Sequence, residues 1–286
     1  DVIFSNMHPT LRKILQITGI VLWTAALTVF TQVGGVPYLI ARFSSGWIRR
    51  RVVHPWKLRL ARAGYGIAIY LVFCLLIVPL LARPLGRVAL PIVGESPLRP
   101  LRMFTVLLNR HYVRPALRDA AFEVAQALET RHPGTNLYYL DANFPFFDGF
   151  PLLPHLSHND GKKLDLAFLY TDPEGKPRSG SPSWLGYGVY DPPKQNERNQ
   201  PELCATQGQW QYSIIGTLVP QWSKYAYPLD EKRTQTMVEL FAAQPAISKI
   251  FIEPHLKTRL NLNSPKVRFH GCKAARHDDH VHVQME

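Results

Sequence analysis

Two stretches of this chain carry no charge: residues 14–41, 28 in number, and residues 63–82, 20 in number. At a helical rise of about 1.5 Å per residue, each can cross a hydrocarbon layer about 30 Å thick. The sequence therefore predicts two transmembrane helices, at 14–41 and 63–82, behind a short tail at 1–13. The first run is too long for the apolar part of a cleavable leader, and no small-residue cleavage site stands out. Gly34, Gly35 and Pro37 predict an end or kink near Val33, and Pro79 falls in the last turn of the second run, where its missing N–H matters less. The loop 42–62 holds Arg42, Arg49, Arg50, Arg51, Lys57, Arg59 and Arg62 and no acid. That asymmetry predicts a cytoplasmic loop with both flanking ends on the outer side of an inner membrane, in contact with lipid through the two spans.

Charge divides the chain in the same place. Residues 1–118 hold 16 Lys and Arg against two acids, a balance of +14, whereas residues 119–286 hold 17 against 19, a balance of −2. The basic excess belongs to the apolar half, where anionic head groups would meet it, so nucleic acid is not an expected partner despite an isoelectric point near 9.7.

Residues 84–100, rich in Pro and Gly, predict a surface connector, and 101–131 shows helical spacing, stopped by His132-Pro133-Gly134. Residues 83–135 are thus a juxtamembrane connector and helix, and 136–286 one folded domain. Within it, 164–170 predicts a largely buried strand, 211–218 a strand, 231–243 a helix and 249–252 a short buried strand. Residues 172–202 predict a long excursion able to roof a cleft, with Trp184, Tyr187 and Tyr190 as its contact residues. The fold class expected is α+β: a small, mainly antiparallel sheet with flanking helices and long loops, preceded by two transmembrane helices. Spacing leaves open whether Cys204 and Cys272 pair or stay as separate thiols; Cys74 lies in the second apolar run.

Chemistry concentrates in two clusters. The first is His155-Leu-Ser-His158 followed by Asp165; the second is His277-Asp-Asp-His280-Val-His282. In 280–283 polar and apolar residues alternate, so on a strand His280 and His282 share one face while the valines pack behind. Asp165, read as buried, needs a partner, and a cation would provide one. Together the clusters offer the three nitrogen or oxygen ligands of a catalytic zinc, with a position left for water. His255 and His270 are expected to face solvent or satisfy local hydrogen bonds.

The pattern His-x-x-His-x6-Asp, followed downstream by His-x-x-His-x-His, resembles the penicillin-insensitive murein endopeptidases, zinc enzymes related to lysostaphin-type and D-alanyl-D-alanine metallopeptidases and to the hedgehog signalling domain. The resemblance covers roughly the last half of the chain. It implies that His158, Asp165 and His282 bind Zn2+, that His280 is the catalytic histidine, and that His277 and His155 line the cleft and assist. It further implies a periplasmic or extracellular metallopeptidase cutting murein peptide cross-links with a zinc-bound water. The alternative is a zinc-binding, non-catalytic domain that recognises cell-wall or protein ligands. Where the D-alanyl-D-alanine enzymes carry glutamate three residues before the last ligand, this chain has Asp279.

Overall fold

The first apolar run is broken in two. In the computed structural model, which describes residues 7–286, α1 (Pro9–Thr31) ends where Gln32 takes φ 63°, and α2 (Gly35–Ser44) folds back along it. Glycine is needed at this turn: a Cβ on Gly34 would lie 2.6 Å from Thr31 Oγ1, and one on Gly35 3.0 Å from the Thr24 carbonyl oxygen. The short α3 (Gly46–Arg51) follows, and then α4 (Pro55–Ala82). Inside α4, residues Phe73–Ile77 widen into a π-turn closed by Val78 N–H to the Phe73 carbonyl. Pro79, two residues beyond, offers no N–H and crowds the carbonyl four residues back, which accounts for the local widening.

α1 and α4 run in the same sense, because their C-terminal parts meet the folded domain together. Asn109 Nδ2 donates to the Thr31 carbonyl and reaches Cys74 Sγ, Gln32 Oε1 accepts from Phe146 N–H at 2.7 Å, and Val33, Cys74, Val78, Ala82 and Tyr112 form one apolar cluster. Residues 14–41 are therefore not a single span. The start of α1 lies at the end remote from the domain, as does the start of α4, rather than opposite the basic loop as the charge asymmetry alone suggested.

The domain is built on a six-stranded mixed sheet. Its strands are β2 (Leu98–Pro100), β4 (Leu137–Tyr139), β5 (Lys163–Ala167), β8 (Ile247–Phe251), β9 (Val267–Arg268) and β10 (His280–Met285), in the spatial order β2-β4-β5-β10-β8-β9. The central pairings β4–β5, β5–β10 and β10–β8 are antiparallel, as expected; the edge pairings β2–β4 and β8–β9 are parallel. Two small antiparallel ribbons, β1 (Val88–Ala89) with β3 (Tyr112–Val113) and β6 (Tyr170–Thr171) with β7 (Pro177–Arg178), complete the β structure.

Strand alternation sets which face is which. Leu164, Leu166, Val281 and Val283, all fully buried, point to one face and share a core with Leu117, Val124 and Leu128 of α6 (Pro115–Arg131) and Val238 and Phe241 of α9 (Glu231–Ala243). Full burial of such side chains contributes about 1.5–3 kcal/mol each. Asp165, His280 and His282 are left on the other face. The core also takes in Leu90, Leu98 and Val113, so residues 83–135 are part of the same packing unit as 136–286 and not a connector outside it.

Local readings fare unevenly. The helix at 231–243 matches α9 residue for residue, and the short strand near 249–252 appears as β8. The helix expected over 101–131 is interrupted: α5 (Met103–Leu107) stops, Asn109 takes φ 57°, β3 intervenes, and α6 restarts at Pro115, a residue that disfavours helix in the position before it. The strand expected over 211–218 is instead a 3-10 turn, Trp210–Tyr212, followed by the helix α8 (Ile214–Leu218). Ile214, Ile215 and Leu218 fit one helical face as well as they fit a strand.

Candidate metal centre

Antiparallel register brings the two halves of the motif together. β5 and β10 are aligned so that His282 stands directly opposite Asp165, 117 residues earlier, and His282 Nδ1 lies 2.8 Å from Asp165 Oδ1. His158 arrives from a loop held by buried Arg87, whose guanidinium donates to the Phe144 carbonyl and pairs with Asp148, and by Arg114, which bonds Asp148 and the Asp160 carbonyl. Arg114 N–H also donates to the Gly161 carbonyl at 2.7 Å, at a turn where Gly161 adopts φ 79°. His158 Nδ1 donates to the Ala142 carbonyl at 2.7 Å, which fixes the ring and turns the Nε2 lone pair inward. That Nε2 lies 3.3 Å from Asp165 Oδ1 and 3.2 Å from His282 Nδ1.

Two of the three donor separations, 3.2 and 3.3 Å, suit a small cation, and the third, 2.8 Å between His282 Nδ1 and Asp165 Oδ1, is a hydrogen-bond distance. Ligands about 2.0–2.1 Å from a tetrahedral ion stand roughly 3.3–3.4 Å apart. His155 stands beside them, with Nδ1 3.4 Å from Asp165 Oδ2 and 3.1 Å from Asp141 Oδ2. His155, His158 and Asp165 together form a group that could hold a metal ion. Protonation differs among the three donors: burial opposes charge on His158, but the Asp165 carboxylate raises it above its ordinary value, so this imidazole favours a proton that a bound cation would displace. Burial works against charge on Asp165, but the His158 and His280 imidazoles outweigh it and hold the carboxyl well below its usual range. Burial lowers His282 to about 4, leaving a neutral imidazole.

His280 sits beside the triad on the same strand face, with Nε2 3.8 Å from Asp165 Oδ1 and Nδ1 bonded to Asp279. Burial opposes its charge, yet the Asp279 and Asp165 carboxylates raise it to about 9. Asp279 is committed to this role: one oxygen holds His280, and the other accepts Gly188 N–H at 2.5 Å. His277 lies behind, its ring 4.9 Å from that of His280 and 5.7 Å from that of His282; burial, then the neighbouring imidazoles, keep it well below its ordinary value. All six sequence-selected residues, His155, His158, Asp165, His277, His280 and His282, thus line one open cleft of 480 Å³.

Three more groups complete the site. His270, expected in solvent, is exposed but belongs to the same cleft, stacked on Phe251 with ring centroids 4.1 Å apart. His255 is buried and bonds the Asp191 carbonyl at 2.8 Å, outside the cleft lining. Asp141, which the sequence reading missed, holds His155 while Arg110 pairs with it at 3.1 Å. The only sequence signal for Asp141 is a lone acid just after a short strand. Of the excursion, Tyr187 reaches the site: its Oη donates to Asp165 Oδ2 at 2.9 Å and accepts Asp141 N–H at 3.1 Å, and its ring packs on His155 and His280. No residue of 172–202 lines the cleft, however, and Trp184 and Tyr190 pack instead on Phe104 and Arg276, respectively. A disulfide between Cys204 and Cys272 ties α7 (Gln200–Thr206) to the loop that leads into His277.

No family model matches the chain, and no curated protein matches it.

Proposed function

We propose that this chain is a membrane-anchored, zinc-dependent metallopeptidase that hydrolyses peptide cross-links in cell-wall murein on the outer side of the inner membrane. The convergence of His158 Nε2, Asp165 Oδ1 and His282 Nδ1 within 3.3 Å, beside an open cleft, carries the reading. The substrate class comes from the resemblance of the two motifs. Anchorage is supported by two helices long and apolar enough to cross a membrane, whose most apolar windows are only 6% and 17% buried, too exposed for the core helices of a globular domain.

Zinc bound to the triad supplies Lewis-acid polarisation of a carbonyl and a water pKa depressed toward neutrality. The chain's own residues then divide the work. His158 holds its ring through a fixed contact, Nδ1 on the Ala142 carbonyl, which leaves Nε2 for the ion. His280 is oriented by Asp279 on Nδ1, so Nε2 is the atom that exchanges a proton, and with the two carboxylates raising it to about 9 it holds that proton near neutral pH and can give it to a leaving amine. Asp279 is not the base, because both of its oxygens are engaged. His155, held between Asp141 and Asp165, and His277 both line the cleft, where either can donate to a developing oxyanion or leaving amine.

The test uses the whole chain in detergent, since a cut at residue 136 would remove β2 and α6 from the core. Bound zinc and the release of murein peptides, resolved by mass, are compared for wild type, His158→Ala and His282→Ala. Wild type is expected to hold one zinc and digest murein, and both variants to lose metal and turnover. Equal turnover in all three would refute the proposal; stoichiometric zinc without any hydrolysis by wild type would turn it into a binding domain.

A further inference from the structure

A large cavity lies remote from the metal centre. It is a laterally open groove of 730 Å³ between α1, α2 and α4, walled by Trp23, Leu27 and Ile67 and bordered at one end by Arg42 and Arg62. Its size lies in the range of small-molecule sites. Small residues keep it open: an added Cβ on Gly66 would lie 3.8 Å from Ala41 Cβ, and Ser44 Oγ is 3.0 Å from Tyr65 Oη, so α2 and α4 stay close.

Among the described residues the two guanidiniums have no carboxylate partner, and residues 7–94 contain no Asp or Glu. Arg62 Nε is shielded from solvent with no hydrogen-bond acceptor. An unpaired buried donor is costly unless something outside the chain satisfies it. Depth also matters. Arg62 directly precedes the uncharged run 63–82, and eight residues on, Tyr70 lines the other end of the groove, about 12 Å away along the helix. Charge therefore sits at head-group level and apolar wall above it.

We propose that this groove binds one anionic phospholipid-like amphiphile, its phosphate between Arg42 and Arg62 and an acyl chain along Trp23, Leu27 and Ile67. Guanidinium is suited to this: its planar donors match phosphate oxygens two at a time, and the bonds are strengthened by charge. A bound lipid would also fill the space between α2 and its neighbours, bracing the helices on which the domain stands. The inference rests on the membrane part of the proposed function and not on the metal.

The test is native mass spectrometry of the whole chain extracted from membranes, offered phosphatidylglycerol, phosphatidylcholine or inorganic phosphate. One phosphatidylglycerol per chain is expected, retained over phosphatidylcholine and not displaced by inorganic phosphate. Arg42→Gln with Arg62→Gln should lower retention by about tenfold or more, as should Gly66→Leu, which fills the groove without changing charge. Arg49→Gln with Arg50→Gln, outside the groove lining, should retain lipid like wild type. Equal retention of the two lipids, indifference to the groove variants, or displacement by inorganic phosphate would each overturn the proposal. A chain that needs no detergent to stay in solution would instead overturn the membrane reading beneath it, and zinc content and hydrolysis test the metal centre separately.

Discussion

Asp165 is the residue on which the candidate centre turns, because three imidazoles and a phenol converge on its two oxygens. Asp165→Asn keeps its size and removes its charge. Zinc affinity should fall by more than about 100-fold, beyond the range of losses in supporting residues, while circular dichroism stays native because the residue lies off the valine and leucine face of the sheet. Retention of stoichiometric zinc by this variant would remove Asp165 from the ligand set. Tyr187→Phe makes a smaller change, deleting the donor to Asp165 and leaving Asp141 N–H without its acceptor. The expected cost is about 1–3 kcal/mol of stability and about tenfold in zinc affinity, read by thermal melts and competition with a chelator. These residues differ in how legible they are. His158, Asp165 and His282 stand out because ligand chemistry restricts residue type, and strand alternation puts His280 and His282 on one face. Asp141 and Arg110 act through contacts made only after folding, so no spacing in the chain marks them.

At the scale of elements, the segment around Tyr187 is held by its neighbours more than by regular structure. Gly188 adopts φ 85°, and a Cβ there would lie 2.7 Å from Val219 Cγ2. Gly188→Ala adds about 1–2 kcal/mol of left-handed strain to that clash, so Tyr187 should shift and zinc affinity should fall with stability. An unchanged melting temperature would show the segment to be loose. Farther along, Arg259 of α10 (Pro254–Arg259) bonds both Asp191 and Glu197 and pins the excursion to the domain. Its guanidinium holds the Glu197 carboxyl at about 2, below the ordinary 4.5. A depressed acid contributes stability above its unfolded pKa, so this share is full above about pH 4.5 and is lost as pH falls toward 2. Arg259→Met should flatten that part of the acid-unfolding curve. The Cys204–Cys272 bond closes a separation of 68 residues; replacing both with alanine should cost about 4 kcal/mol by loop entropy. Helix α9 is legible because capping by Asp230 and apolar spacing agree. The break at 108–114 is not, because apolar spacing continues through it while Asn109 and Pro115 redirect the backbone.

For the whole molecule, the direction of the helices decides how charge would meet a membrane. Counting basic residues on a chain read as two antiparallel spans separates Arg12 and Lys13 from the cluster at 42–62. Folding brings them together: α1 and α4 run in the same sense, α2 returns between them, and the C-terminal ends of both long helices dock on the domain. In this arrangement Arg12, Lys13, Arg49, Arg50, Arg51 and Lys57 lie toward the end remote from the domain, where a single cytoplasmic surface would satisfy the preference of short basic segments for that side. The sequence could not show this, since the turn at residues 32–34 depends on how closely Gly34 and Gly35 can approach Thr24 and Leu27. Cysteine labelling checks it. With Cys74 buried and Cys204 and Cys272 bonded to each other, single cysteines at Thr10, His54 and Trp222 can be probed with a membrane-impermeant maleimide in intact spheroplasts. Trp222→Cys, 82% exposed in wild type and on the domain, should react without lysis, whereas Thr10→Cys and His54→Cys should both react only after permeabilisation. Labelling of Thr10→Cys together with Trp222→Cys, and apart from His54→Cys, would mean that the helices cross the bilayer in opposite senses and that the packing of α1 beside α4 is not the membrane form.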